Sequence, residues 1–254
     1  MTSALQTVLI TGAARRLGRA LALDFSRRGW RVGVHHGAST EDAREVVRQI
    51  AADGGVAQAF PGDLADAGAV RALLPSVAAA LGSVTCLINN ASVFIYDDIA
   101  TLTPSAWDAH QAVNLRAPVL LAQALAAQLP LGMSGNIINI IDQRVWKPTP
   151  HFFSYAASKA GLWAVTQTLA QGLAPRIRVN AIGPGPMLQS VHQSAGDFDA
   201  QARAVPLGRG TSPEEICAAA QFILSSPAMT GQMLALDGGQ HLAWQTPDIG
   251  DGRG

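Results

Sequence analysis

The chain has 254 residues, 48% of them hydrophobic and 14% charged, with 18 basic and 18 acidic side chains that cancel. That balance gives no footing for nucleic acid or an anionic membrane surface, and the length buries a core without disulfides or metals. Cys86 and Cys217 stand far apart with no metal-ligand spacing, so a reducing cytoplasm is expected and a metal is not.

The first residues lack a basic segment followed by an apolar one, and no apolar stretch reaches the roughly 18 residues of a membrane span. Val119–Leu129, the best candidate, is broken by Gln123 and Gln128. From there the chain alternates short Val/Ile-rich runs with longer helical patterns, which predicts βαβ units and a parallel sheet. Strands are expected at Thr7–Ile10, Arg31–His35, Val56–Phe60, Thr85–Asn89, Asn136–Ile141, Arg178–Ile182 and Met233–Leu236. Helices are expected at Leu17–Arg28, Thr40–Ala52, Ala67–Leu81, Pro104–Leu129, Phe152–Leu173 and Pro213–Leu224. Thr103 before Pro104 and Ser212 before Pro213 are N-cap candidates with proline at the first helical position. Residues 183–206 form a long connection expected to act as a substrate lid. Residues 241–254 are a polar, glycine-rich tail.

The first strand runs into Thr11-Gly12-Ala13-Ala14-Arg15-Arg16-Leu17-Gly18. Glycine permits the tight turn, and the leading amides of a helix receive a pyrophosphate. A site selective for NAD carries an acid about 20 residues on, at the end of the second strand. Here that stretch is Val34-His35-His36-Gly37-Ala38-Ser39, and the first acid is Glu41. Arg15 stands in the loop where a guanidinium can meet a 2′-phosphate, so NADP(H) is favoured, with help from His35, His36 or Ser39.

Tyr155 and Lys159 lie four residues apart on a predicted helix and so share a face. A cation ~4 Å from a phenol at effective dielectric ~20 favours phenolate by about 4 kcal/mol. That is roughly three pKa units, so Tyr155 is expected to titrate nearer neutrality than free tyrosine and to serve as an acid.

Thr11-Gly12 with Gly18, Asn89-Asn90-Ala91, Asn114, Tyr155 with Lys159, Asn180 before Gly183-Pro184-Gly185, and Asp237-Gly238-Gly239 together resemble the short-chain dehydrogenase/reductase family over about residues 6–240. The resemblance implies one Rossmann-type, doubly wound α/β domain with seven parallel strands in the order 3-2-1-4-5-6-7. It implies a nicotinamide cofactor across the strand ends, bordered by Gly12, Arg15, Arg16, Leu17, Gly18, Asn90, Ala91, Ser92, Pro184 and Gly185. By the same resemblance Asp63 and Leu64 flank the adenine, Asn114 holds a relay water and Lys159 bonds the nicotinamide ribose. A homotetramer paired through the two longest helices is also implied.

Two positions depart from that family's usual pattern: Arg16 replaces a glycine, and Asp142, thirteen residues before the tyrosine, replaces a serine. An ionised aspartate cannot donate to a carbonyl and repels a developing alkoxide, which argues against simple ketone reduction. With Phe94, Val205-Pro206-Leu207 and Arg209, these departures resemble the pteridine reductase branch. That resemblance implies a pterin sandwiched between Phe94 and the nicotinamide, with Ser92 and Arg16 at polar edges and Asp142 and Tyr155 sharing the acid work. Ala38 departs from the branch, which usually has a basic residue there. The expected activity is reduction of a 7,8-dihydropterin C=N bond. A 3-oxoacyl-thioester or other carbonyl reductase is the alternative within enzymes, and a non-catalytic NADP-binding regulator the alternative outside them. His110, His151, His192 and His241 receive no role.

Overall fold

The computed structural model describes residues 6–189 and 194–244. Seven strands form one parallel sheet: β1 (Thr7–Ile10), β2 (Arg31–His36), β3 (Val56–Pro61), β4 (Val84–Asn89), β5 (Gly135–Ile140), β6 (Ile177–Pro184) and β7 (Met233–Leu236), in the order β3-β2-β1-β4-β5-β6-β7. The helices between them are α1 (Arg16–Arg27), α2 (Thr40–Ala52), α3 (Ala67–Leu81), α4 (Pro104–His110), α5 (Ala117–Gln128), α6 (Phe153–Leu173), α7 (Ala195–Arg203) and α8 (Pro213–Ser225). Each strand of a sheet covered on both sides must be apolar on both faces. Val8 and Ile10 of β1 and Cys86 and Ile88 of β4 accordingly pack into one core with α1 and α8. Leu9 and Leu87, one residue out of phase, pack into the opposite core with α3 and α5. Burying each such Leu or Ile contributes about 1.5–3 kcal/mol, so a one-residue slip of either strand is strongly disfavoured.

The expected strands and helices are present, with boundaries shifted by a residue or two. The segment expected as one helix over 104–129 is interrupted: Gln111–Arg116 is a π-helical turn between α4 and α5. It brings Asn114 inside the molecule, where it is 1% exposed. The long connection also differs, because α7 forms within it. Its nine residues show little apolar periodicity, but a capping box between Ser194 and Asp197 fixes its start. Residues 190–193 of the expected lid, with His192, and 245–254 of the expected tail lie outside the described residues.

Sequential strands wind outward in both directions from β1 and β4, which leaves a crevice at their C-terminal ends. Ligands bind such sheets at this switch point.

Candidate active site

The turn after β1 and the end of β4 are built as one unit. Thr11 Oγ1 accepts from the Asn90 and Ala91 amides at 3.0 Å each. The Asn90 side chain donates back to the Thr11 and Gly12 carbonyls at 2.9 and 3.2 Å. A Cβ at Gly18 would lie 2.1 Å from the Gly12 carbonyl oxygen, so only glycine lets α1 start this close to the turn. Gly12 itself has φ 63°. The first turn of α1, whose leading amides have no acceptor within the helix, thus borders the crevice with main chain. These features fit a dinucleotide pyrophosphate.

His35 locks the same turn from below. Its Nδ1 accepts from the Gly12 amide at 3.1 Å, which puts the ring proton on Nε2, donated to the Gly62 carbonyl at 3.1 Å. Burial holds its pKa down to about 4. The expectation that His35 and His36 help bind a 2′-phosphate is therefore corrected. Both are buried, and His36 Nδ1 bonds the Gly37 carbonyl at 2.8 Å. Asp63 is exposed and accepts from the Ala65 amide at 2.8 Å, and Leu64 packs into the core with α3.

Arg15 does border it, half-extended into solvent and paired with Asp42 at 2.6 Å. Arg16 adopts φ 51°, the left-handed region that a glycine occupies without cost. A side chain there costs about 1–3 kcal/mol. Its guanidinium bridges to the Leu188 and Gln189 carbonyls at 3.1 and 2.8 Å, clamping the chain after β6 across the crevice.

The crevice has two joined chambers that share Arg16, Phe94, Asp142, Tyr155 and Met187. The first, about 450 Å³, lies between Gly12–Gly18 on one side and Tyr155, Lys159 and Pro184–Gly185 on the other. The second, about 380 Å³, is walled by Phe94, Arg144, Phe152 and Phe198. Phe94 and Phe152 stack with centroids 4.2 Å apart, and Phe94 meets the Tyr155 ring edge-on at 4.7 Å. Phe152 has φ 55°, so α6 starts one residue later than expected, and its ring stacks on Phe94.

At the junction the Tyr155 hydroxyl donates to Asp142 Oδ2 at 3.0 Å, while Asp142 Oδ1 accepts from the Arg144 amide at 2.8 Å. Lys159 donates to the Ile140 carbonyl at 2.9 Å and its ammonium lies 5.6 Å from the Tyr155 ring centroid. Burial lowers its pKa to about 8. The expected lowering of the Tyr155 pKa does not occur in this geometry. Burial, and then the adjacent Asp142 carboxylate, push the phenol well above its ordinary value. The expectation weighed only the cation; the carboxylate is nearer and opposes it. Burial likewise raises Asp142 above the usual carboxylate range.

Asn114 is spent internally. Its amide donates to the Val93 carbonyl at 3.0 Å and to Ser158 Oγ at 3.1 Å, and its oxygen accepts from the Val93 amide at 2.8 Å. With both side-chain N–H groups used it ties the chain after β4 to α6. Ser92 Oγ contacts Asn114 Oδ1 at 3.3 Å and borders the first chamber. Arg144, Phe152, Phe198 and Gln201 line the second chamber and were not foreseen. The available signal was Phe198, the one Phe, Trp or Tyr in the 183–206 connection.

A family model described as enoyl-(acyl carrier protein) reductase matches residues 12–241. The chain belongs to the short-chain dehydrogenase/reductase family. Within that family, FolM alternative dihydrofolate reductase 1 from Brucella suis, solved in complex with NADP, is similar in structure with a TM-score of 0.93. It is 45% identical, covering 96% of this chain and 98% of that one. 3beta-Hydroxysteroid dehydrogenase 1 of Eggerthella lenta is 36% identical, over 93% of this chain and 94% of its own. 3-Oxoacyl-(acyl-carrier-protein) reductase FabG of Staphylococcus aureus is 31% identical, over 93% and 98%. Among the described residues no helix is long and apolar enough to cross a membrane.

Proposed function

We propose that this short-chain reductase uses NADPH to reduce the ring C=N bond of a 7,8-dihydropterin. The observation that carries the reading is the Tyr155–Asp142 contact at the junction of the two chambers, beside Phe94. A carbonyl reductase places donors where negative oxygen develops. This site instead has a carboxyl group there, which suits a substrate that offers N–H groups or takes a proton on nitrogen. A flat heteroaromatic ring fits the aromatic wall, where stacking contributes about 1 kcal/mol beyond burial. The similarity to an NADP-bound FolM alternative dihydrofolate reductase supports both cofactor and substrate class. The missing acid after β2 and the position of Arg15 at the crevice support NADPH over NADH.

NADPH, when bound, supplies the hydride. The chain supplies the proton and the positions. Tyr155, kept protonated by burial and by Asp142, gives its proton to the ring nitrogen beside the carbon that receives hydride. Asp142 accepts the hydrogen bond of the phenol and fixes the direction of its proton until transfer. Lys159, whose ammonium lies 5.6 Å from the phenol ring centroid, stabilises the phenolate formed at the moment of transfer. The main chain of Gly12–Gly18 holds the pyrophosphate, and Pro184–Gly185 closes the opposite wall.

Reduction of an oxoacyl thioester is the second reading, favoured by the identity to FabG. A panel of dihydrobiopterin, dihydrofolate, dihydromonapterin and an acetoacetyl thioester, followed by NADPH absorbance, separates the two. Good turnover of the thioester with none of any dihydropterin overturns the proposal.

A further inference from the structure

Beyond the two chambers described above, the crevice continues outward into a third space of about 590 Å³, sharing Tyr96, Gln143, Arg144, Phe152, Gln201 and Gln240 with the second. We propose that this outer space is an anion subsite, built on Arg144 and Lys147, which receives a carboxylate-bearing tail on the substrate. It rests on the pterin reading for what sits in the inner chambers, and it selects a dihydropterin with an acidic side chain over one with a neutral polyol.

The charge distribution points this way. The ionisable groups on the outer wall are Arg144, Lys147, His151 and the Tyr96 phenol, and no carboxylate lines it. The chain as a whole is neutral and has only two lysines, so a wall with an arginine and a lysine is a local departure from its composition.

Arg144 is the more telling of the two. Its Nη1 is buried and has no hydrogen-bond partner, and its charge acts on the Asp142 carboxyl beside it. Its guanidinium carbon lies 5.1 Å from the Phe152 ring centroid, which holds the planar group in place. A buried, unpaired guanidinium N–H is costly and rare in a finished protein interior. Arg144 lines the outer space, where a carboxylate would meet its guanidinium. Because Arg144 lines both the second chamber and the outer space, a ring against Phe94 with a tail running outward passes it.

Lys147 is held further out. Its ammonium donates to the Ala243 carbonyl at 2.9 Å and approaches the Gln240 carbonyl at 3.5 Å, leaving a third N–H for a ligand.

The test compares dihydrofolate, whose tail ends in carboxylates, with neutral dihydrobiopterin in the wild type and in Arg144→Gln and Lys147→Gln. It adds equilibrium binding of p-aminobenzoylglutamate alone, which needs no turnover. The wild type should show a lower KM for dihydrofolate, and this advantage should shrink with rising salt. Arg144→Gln should lower the dihydrofolate-to-dihydrobiopterin ratio of kcat/KM by roughly ten- to a hundredfold, expressed in KM, and Lys147→Gln by less. If both pterins are reduced and the variants change them equally, the subsite is wrong and the pterin reading stands. If no pterin is reduced, that reading fails. The subsite then stands only if p-aminobenzoylglutamate binds the wild type and binds Arg144→Gln at least about tenfold more weakly. A phosphorylated pterin preferred over dihydrofolate would overturn the assignment to a carboxylate tail.

Discussion

Tyr155 and Asp142 share one hydrogen bond of 3.0 Å, and through it the carboxylate, rather than Lys159, dominates the electrostatics of the phenol. Losing the charge at position 142 therefore lowers the Tyr155 pKa. Asp142→Asn should move the alkaline limb of the kcat/KM profile to lower pH, because the phenol loses its proton sooner. Asp142→Ser should lower dihydropterin turnover and raise activity on an oxoacyl thioester. An unmoved alkaline limb in Asp142→Asn would show that the contact does not govern the acid.

The start of α6 is anchored by a buried chain of three polar side chains. The Ile95 amide donates to His110 Nε2 at 3.1 Å, so Nδ1 carries the ring proton and donates to Ser154 Oγ at 2.7 Å. Ser154 Oγ in turn donates to Asp97, which also accepts from the Ser154 amide at 3.1 Å. Ser154→Ala leaves Asp97 and His110 short of a partner and should cost about 2–3 kcal/mol in chemical denaturation. A loss under about 0.5 kcal/mol, the scatter of surface substitutions, would mean the chain carries little of the stability.

Acid should loosen the turn after β1. His35 has a folded pKa of about 4 against an ordinary 6.5, so the unfolded chain binds the extra proton between those values. Its contribution is fully present above pH 6.5 and is lost as pH falls through 4, amounting to about 3 kcal/mol. Denaturation midpoints at pH 7 and pH 4 measure this, and His35→Gln should flatten the difference. An equally steep fall in that variant would assign the acid sensitivity to other groups.

Arg15 borders the crevice but is held by Asp42. Arg15→Ala should weaken NADPH by roughly tenfold, one charge-assisted bond, and leave NADH little changed. Asp42→Ala frees the guanidinium and should tighten NADPH. Titrations giving equal wild-type affinities for the two cofactors would remove the case for NADPH preference.

A homotetramer is expected from the family resemblance, and the outward positions of α6 suit it. Phe153, Ala160 and Ala164 are exposed there and uncharged, and Trp107 of α4 is exposed as well. Light scattering at micromolar concentration checks this; a monomer refutes it.

The order of elements, the parallel sheet and the turn that fits a pyrophosphate were all legible in the sequence. They depend on local periods and on single residues such as Gly12 and Gly18, whose conformational needs hold wherever the chain goes. The pairing of Tyr155 with Lys159 on one face was legible for the same reason, since four residues on a helix fix it. Asp142 could be named as a departure, yet its effect on Tyr155 depends on a distance between β5 and α6 that no local pattern encodes. His35 was expected to help hold a 2′-phosphate because of where it falls at the end of β2; the fold buries it, and a buried polar group takes the nearest partner available. Arg144 carried no signal at all in one dimension. Only the packing of Phe152 and the return of α7 and Gln240 over the crevice set its guanidinium on the wall of a cavity, with a buried N–H and no acceptor.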